Sequence, residues 1–461
     1  MASTYLTYTP SSGVTLGTKA TISFWVKRSK LDSSGNFYGI LSSNGGWNDG
    51  TGFAIGWRED MLVWYNLANA SGYRTYTNRK FRDTNAWYHI VYKIDTTQAS
   101  MQDRITLYVN GVDEGDLTSN TSISNAMPSQ NASLNQFFDS GDQHQIGRGG
   151  SAGSTYFDGS LSHFHYVDGS ALAPTVFGST DSTTGEWQIN TSPSYTVGNN
   201  GFFILKDGNS VTDQSANSNN FTVGGGTLTF THDNPSNVFA TLNPLSGLNH
   251  APMEHGNCSL SNSGTDGDRI YGTIPSKAGY YEFKIAYTPN GASGIGVQWG
   301  CFDITNFGER TYSISSARTM RTGYGYNTYY ATTDFGAGNS WENVSTGLDV
   351  DTGDILMCAW KNGKVYMGYN GTWFFSANPS NNTDGSTQIP LADSNAYQMP
   401  VIKDDGGGSG DCQFNFGNGY LGTTAITTNS GNGYQDANGQ GKFQYQPPTG
   451  CYALCTKNLN V

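Results

Sequence analysis

The sequence predicts an all-β protein: two antiparallel β-sandwich domains, jelly-roll-like, joined by an ordered connector that contains strands of its own. Three observations lead there. The first is composition: of 461 residues, 60 are Gly and 13% are aromatic, while only 13% are charged. Disorder needs the reverse balance, and helical bundles need an abundance of Ala, Glu, Lys and Leu that this chain lacks. The second is alternation of apolar and polar residues with period two. The third is a set of Asn-Gly pairs between the alternating runs, the strongest short signal of a two-residue hairpin because Asn and Gly tolerate positive φ. The length is too great for one compact domain and suits two or three.

The strands follow in order. In TISFWVKRS, Ile22, Phe24 and Val26 share one face, and Ser23, Trp25 and Lys27 the other. In RITLYVNG, Ile105, Leu107 and Val109 oppose Thr106, Tyr108 and Asn110. In YYEFKIAY, Tyr281, Phe283, Ile285 and Tyr287 oppose Glu282, Lys284 and Ala286. In CQFNFG, Cys412, Phe414 and Phe416 oppose Gln413 and Asn415. Such strands are expected to bury one face and wet the other. Hairpin turns are expected at Asn110-Gly111, Asn200-Gly201, Asn290-Gly291, Asn362-Gly363 and Asn370-Gly371. Composition places the domain boundaries. Residues 1–178 form the first block, in which Pro174 closes the last strand. Residues 179–247, rich in Ser, Asn, Gly and Thr, form a connector with its own hairpin from GFFILK and NNFTVGGGTLTF. Residues 248–461 form the last block.

The formal net charge is −12. That argues against duplex DNA or an anionic membrane as the main partner, since both need basic patches. A weakly charged surface rich in Tyr, Trp and Asn suits a neutral glycan or another protein. The start, MASTYLTYTPSSG, carries neither a basic segment nor an apolar core, so it is read as no secretory signal. Ile355–Trp360 is among the longest apolar runs, far short of a membrane span. The expected site of synthesis is therefore a cytoplasm. All six cysteines (Cys258, Cys301, Cys358, Cys412, Cys451 and Cys455) lie in the second half. Without a signal they are expected to be reduced, buried thiols, and one closely spaced pair does not make a zinc site.

The first block resembles laminin G-like domains of the concanavalin A-like lectin and glucanase superfamily. The pieces that carry the resemblance are TISFWVKRS, NAWYHIVYKID, RITLYVNGV and FDGSLSHFHYVDGSAL, in that order over about residues 5–175. The last block resembles a SPRY domain through GYYEFKIAY, SGIGV, YGYN, LDVDTGDILMCAWKNGKVYMGYNG, MPVIKDD and FNFG. The whole arrangement is similar to tail or virion surface proteins of marine phages. Three joining segments sharpen that likeness: Val167–Trp187, Asp207–Val223 and Gln444–Leu459. The resemblance implies a structural or adhesive role in a virion, present in many copies and released by lysis. It does not name a ligand, because both folds are scaffolds whose loops carry function.

Candidate chemistry is sparse. Glycosidases need two carboxylates flanking the scissile bond, and the E-x-D-x-E pattern of the fold's glucanases is absent. Glu59 and Asp60 are adjacent, which puts them on opposite faces of a strand, and Asp113, Glu114 and Asp116 read as a solvated loop after a hairpin. His163 and His165 are two apart and share a strand face, where they could bind one metal, but no third ligand is near; they read as the polar outer face of a closing strand. Calcium is a candidate from the resemblance alone, through Asp207, Asn209 and Asp213 or Asp349, Asp351 and Asp354; turn chemistry explains the same residues. Otherwise no cofactor or metal is expected. The ligand-binding candidates are aromatic: Trp47 and Trp57, which cluster with Trp64, and Tyr324, Tyr326, Tyr329, Tyr330 and Trp341, since sugar rings stack on aromatic faces. The expected function is a phage appendage (tail fibre, tail accessory or capsid-surface protein) adhering to a host-surface glycan, to neighbouring virion proteins, or to both. A polysaccharide depolymerase and a purely structural decoration protein are the alternatives.

Overall fold

A computed structural model describes residues 3–31, 34–43, 52–66, 73–119, 127–133, 138–150, 156–206, 211–246, 253–261, 269–287, 297–306, 318–322, 328–331, 342–343, 350–383, 389–390, 395–404, 411–427 and 433–460. The chain divides into two units, Met1–Phe230 and Thr231–Val461. Both are built from antiparallel sheets, and the helices among the described residues are single 3-10 turns.

In the first unit two sheets pack face to face. One runs, edge to edge, Thr118–Ser119, Tyr73–Tyr76, Met61–Asn66, Phe53–Arg58, Phe37–Ser43, His144–Ile146, Tyr5–Tyr8 and Thr222–Gly225. The other runs Phe202–Ile204, Gly159–Asp168, Lys19–Arg28, Trp87–Asp95, Ile105–Val109 and Val112–Asp113. The shared core holds Ile22, Phe24 and Val26 from the expected face of Lys19–Arg28, with Ile55, Trp57, Trp64, Ile90, Tyr92 and Phe164.

The opposite face of Lys19–Arg28 is not wet, which corrects the expectation from simple alternation. Thr21 and Ser23 are fully buried, and Trp25, His89, Val91, His165 and Val167 are buried with them. A strap formed by the residues after the strand Gly159–Asp168 lies across this outer face. Leu172, Val176, Phe177 and Tyr195 pack on Val91 and Val167. Thr21 Oγ1 donates to Ser170 O (2.7 Å) and accepts from Leu172 N (2.8 Å). Trp187 Nε1 donates to His89 Nδ1 (2.9 Å), and the far nitrogen of the same ring meets Ser23 Oγ at 2.9 Å. An indole N–H can only donate, so His89 is held neutral with its proton on Nε2. The imidazole stacks on Trp25 at 4.9 Å and lies beside Trp187, nearly parallel to it, with ring centroids 5.9 Å apart. Burial, and then the charge of His163, push its pKa down to about 3. Gly111 makes room for this stack: a Cβ there would sit 2.3 Å from the Trp187 ring, and its φ of +76° suits glycine.

His163 and His165 are likewise buried, so the exposed polar face expected for them is corrected. A bulge between Ser162 and His165 breaks the period, with His163 at φ 47°. His163 Nδ1 meets Ser162 Oγ at 2.8 Å, and His165 stacks on Phe203 at 3.8 Å while its Nδ1 meets Tyr195 OH at 2.6 Å.

Residues 179–247, expected as a connector with its own hairpin, divide between the units. Phe202–Ile204 pairs with Gly159–Asp168, and Thr222–Gly225 pairs with Tyr5–Tyr8 at the edge of the other sheet. The physical reason is that Phe202, Ile204 and Phe221 complete the first core. Three expected hairpins form as two-residue turns with both φ values positive, at Asn110-Gly111, Asn362-Gly363 and Asn370-Gly371. Asn200-Gly201 does not. Asn200 is a buried anchor whose amide donates to Ser12 O and Phe138 O, both at 2.7 Å. Asn290-Gly291 lies outside the described residues.

The second unit repeats the plan. Its larger sheet runs Met253–Glu254, Ser259–Ser261, Asp411–Asn415, Gly279–Tyr287, Ile355–Lys361, Lys364–Tyr369 and Thr372–Trp373. Its smaller sheet runs Arg269–Tyr271, Gln398–Asp404, Val297–Asp303, Arg318–Thr322, Thr328–Ala331 and Glu342–Asn343. Tyr281, Phe283, Leu356 and Phe414 meet Trp299, Met320 and Ile402 between them. The outer face of the larger sheet is again covered. Tyr280, Met357, Ala359 and Tyr366 pack under Phe443, Cys451, Ala453 and Cys455 of the C-terminal segment, which adds Tyr452–Ala453 as a parallel strand beside Gly279 and Tyr280. Glu282, expected on a wet face, is fully buried as the clamp of this segment. Its Oε1 accepts from Gln444 N (2.6 Å) and Asn415 Nδ2 (2.8 Å), and its Oε2 from Tyr280 OH (3.0 Å) and Tyr445 N (3.3 Å). Burial pushes its pKa up to about 7, against the pull of these four donors. All six cysteines are buried, and none is in a disulfide; burial pushes the Cys451 thiol up to about 12 and makes it a poor nucleophile.

Two outcomes follow from these clamps. Trp187→Phe leaves His89 Nδ1 buried without its donor and costs the first unit about 1–3 kcal/mol, read as a lower urea midpoint. Glu282→Ala strands two backbone N–H groups and an amide, costs the second unit about 3 kcal/mol, and speeds proteolysis between residues 433 and 455. The pH dependence has opposite signs in the two units. Between pH 6.5 and 3 the unfolded chain protonates His89 and the folded one does not, so that stability is full above pH 6.5 and lost as pH falls. Glu282 takes up its proton in the folded state, so its contribution is greatest below about pH 4.5 and falls as pH rises to 7. Urea titrations at pH 7.5 and 4.5, followed by unit-specific hydrogen exchange, read both.

Candidate functional site

The aromatic candidates separate. Trp57 is 1% exposed; its indole packs on Phe81 (5.0 Å) and under the Arg28 guanidinium (4.6 Å). Trp64 is equally buried, against Tyr92 at 4.9 Å. Both are core residues, closed to a ligand, because the period-two pattern that places them is the pattern of the inner face. Tyr329 and Tyr330 are successive residues of the strand Thr328–Ala331, opposite Arg321 and Met320. Trp47, Tyr324, Tyr326 and Trp341 lie outside the described residues.

The acidic candidates are used by the fold. Glu59 and Asp60 are not strand residues on opposite faces: they form the two-residue turn between Phe53–Arg58 and Met61–Asn66, with φ of 53° and 65°. Asp60 turns inward. Its Oδ1 pairs with the buried Arg28 (3.1 Å) and its Oδ2 with Arg82 (3.0 Å). Asp113 and Asp116 are exposed, whereas Glu114 holds Arg79 at 2.7 Å. Asp213 is buried and gives both oxygens to protein donors: Phe203 N and Ser215 N on Oδ1, Ser215 Oγ and Asn219 N on Oδ2. Asp354 accepts from Tyr369 OH, Asn370 Nδ2 and Asp351 N. Asp207, Asn209 and Asp349 lie outside the described residues. Among the described residues no three His, Cys, Asp or Glu side chains group as metal ligands.

What the fold does assemble is an arginine–tyrosine face on the outside of the first unit's larger sheet. Registers place Phe37, Gly56 and Arg58, then Met61, Val63 and Tyr65, then Arg74 and Tyr76 on that side. Phe37, Ala54, Val63, Tyr65 and Tyr76 form a separate small cluster there. Tyr65 is its centre, fully buried, with Phe37 edge-on at 5.3 Å. The Arg74 guanidinium lies over the Tyr65 ring at 4.3 Å. Arg58 Nη1 donates to Tyr65 OH at 3.0 Å, and that oxygen meets Tyr76 OH at 3.1 Å. Burial and the Tyr76 bond push the Tyr65 pKa up to about 12, so the phenol stays neutral. The Tyr65 bond raises the pKa of Arg58. Farther along the sheet, Arg148 lies between the rings of Tyr5 (5.1 Å) and Tyr156 (5.3 Å). Gly39 lets the backbone at Gly149 close in here, because a Cβ would come within 2.1 Å of Gly149 Cα. Sequence reading passed over this face. The signal was present in the alternation of FAIGWR, MLVWYN and YRTY, but using it needs the Glu59-Asp60 turn, which has no glycine.

Residues 2–176 match the family model described as the concanavalin A-like lectin/glucanases superfamily, under the name Laminin_G_3. The first unit therefore carries a laminin G-like domain. No curated protein matches the chain. Among solved structures, the heptameric SAP-like pentraxin from Limulus polyphemus is 15% identical, covering 37% of this chain and 72% of its own, with a TM-score of 0.26. Domains LG4-5 of the mouse laminin alpha1 chain are 8% identical, covering 89% of this chain and 84% of their own, with a TM-score of 0.28. The SPRY domain of human HERC1 is 14% identical, covering 38% of this chain and 96% of its own, with a TM-score of 0.24.

The roles of the two turn acids are separable. Asp60→Asn leaves Arg28 buried without its counter-charge and costs about 3–5 kcal/mol, read as a lower denaturation midpoint. Glu59→Gln, at an exposed pair 3.9 Å long, leaves the midpoint unchanged within about 0.5 kcal/mol.

Proposed function

We propose that the chain is a virion appendage protein of a phage, in a tail or on a capsid surface, that adheres to host-surface glycan and contacts neighbouring particle proteins. The observation that carries the binding part is a lectin-superfamily sandwich whose larger sheet turns an arginine-topped tyrosine face outward. Such a face joins planar donors to an apolar floor, the combination that saccharide and protein partners both use. The virion part rests on the order of the laminin G-like and SPRY-like sequence blocks and their joining segments. Adhesion would work through number: weak contacts become strong when many copies are fixed on one particle. On this reading the protein catalyses nothing. Among the described carboxylates that sequence singled out, Asp60 and Glu114 are in ion pairs and Asp213 holds a turn.

The test is binding of the full chain to immobilised host-envelope polysaccharide, with mass spectrometry of purified particles alongside. Saturable binding without release of reducing ends, and the chain present in particles, is the expected result. Reducing-end release would replace adhesion with depolymerisation. Glycan silence combined with fragile particles on deletion would leave a decoration protein.

A further inference from the structure

We propose that Arg58 and Arg74, held on Tyr65, bind the carboxylate of an acidic saccharide, and do so without calcium. This rests on the glycan-adhesion reading and specifies its ligand class and its site. Two guanidiniums converge on one buried phenol: Arg58 at its oxygen (3.0 Å) and Arg74 over its ring (4.3 Å). Their charges are poorly matched from within. Glu59 is 3.9 Å from Arg58 and 45% exposed, and Asp60 is spent on Arg28 and Arg82. Among the described residues Arg74 has no carboxylate and no hydrogen-bond acceptor; its contact is the Tyr65 ring. The Nε atoms of Arg58 and Arg74 are both buried without an acceptor. A carboxylate laid across the two guanidiniums would accept from both.

The geometry favours a carboxylate. A guanidinium offers five N–H groups in a plane, and a carboxylate accepts two in parallel. Arg58 commits one of its five to Tyr65, and a quarter of its side chain is exposed. Contact with the Tyr65 ring already restrains Arg74, so less side-chain entropy is lost on binding. The rest of the chain opposes an anionic polymer, with a net charge of −12. Affinity then depends on this local pair and falls with salt.

The experiment measures binding of the full chain by biolayer interferometry to oligogalacturonate, dextran sulfate and neutral dextran, all in EDTA. The variants are Arg74→Gln, Arg74→Lys and, as a control, Lys457→Gln at an exposed position of the second unit; thermal melts confirm that each is folded. Oligogalacturonate should bind best and lose affinity about tenfold or more with Arg74→Gln, one lost charge-assisted pair. Arg74→Lys should recover part of it, because charge returns without the planar fork, and Lys457→Gln should match the wild type. Unchanged binding in Arg74→Gln, full recovery with lysine, equal binding of the sulfated polymer, or loss of binding in EDTA would each overturn the proposal. Neutral dextran binding that ignores Arg74 would overturn it while leaving glycan adhesion standing. Silence toward every saccharide would remove both.

Discussion

The structure turns on the need to cover both faces of a sheet. Alternating strands expose a polar side only if that side is polar, and here it is not. Trp25, Val91 and Val167 stand on the outer face of the smaller sheet of the first unit, and Tyr280, Met357 and Tyr366 on that of the larger sheet of the second. Left in water, each of these side chains would cost about 1.5–3 kcal/mol of unrealised burial. Each unit therefore spends a long stretch of nearly strandless chain as a cover. In the first it is the segment through Phe177, Trp187 and Tyr195; in the second it is the segment from Tyr434 to Cys455. Such covers turn often and hold themselves by side chain to backbone bonds. Asp436 is an instance: it accepts from Asn438 N, Gln440 N, Ala453 N and Asn458 Nδ2.

A cover seated by apolar contact alone could slide. Each is pinned by buried polar residues on the sheet beneath, with one central pin in each unit. His89 accepts the Trp187 indole N–H, which fixes both the tautomer and the height of the strap. Glu282 collects Gln444 N, Tyr445 N, Asn415 and Tyr280, which fixes the register of the C-terminal segment. Such networks are costly if half-made, so they select one arrangement of the cover over its neighbours. The two pins titrate in opposite senses because desolvation disfavours the charged form of each: an imidazolium in one case, a carboxylate in the other.

What the sequence shows is whatever repeats locally. Alternation located Ile22, Phe24 and Val26 and also Tyr281, Phe283 and Ile285 on their inner faces, and Asn-Gly located three hairpins. What it hides is what depends on long-range company. Trp57 and Trp64 read as ligand candidates because an aromatic ring carries no label for inside or outside. Glu282 read as wet because a lone charge in an alternating strand usually is; its four donors come from three separate stretches of chain. The connector looked independent because the strands it contributes, Phe202–Ile204 and Thr222–Gly225, pair with partners far earlier in the sequence.

The larger sheet of the first unit solves the same covering problem differently. Its outer cluster of Phe37, Val63, Tyr65 and Tyr76 is as buried as the others, and arginine side chains take part in the covering. Arg74 lies over the Tyr65 ring, and Arg58 reaches across to its hydroxyl. Long side chains of this kind shield rings with their stems while keeping the charged end near water. A strap pinned by buried hydrogen bonds opens only by local unfolding. A roof of guanidiniums can turn a donor edge toward a ligand without breaking the sheet. The difference between the two covers is thus the difference between a face closed by packed chain and a face closed in part by arginine side chains.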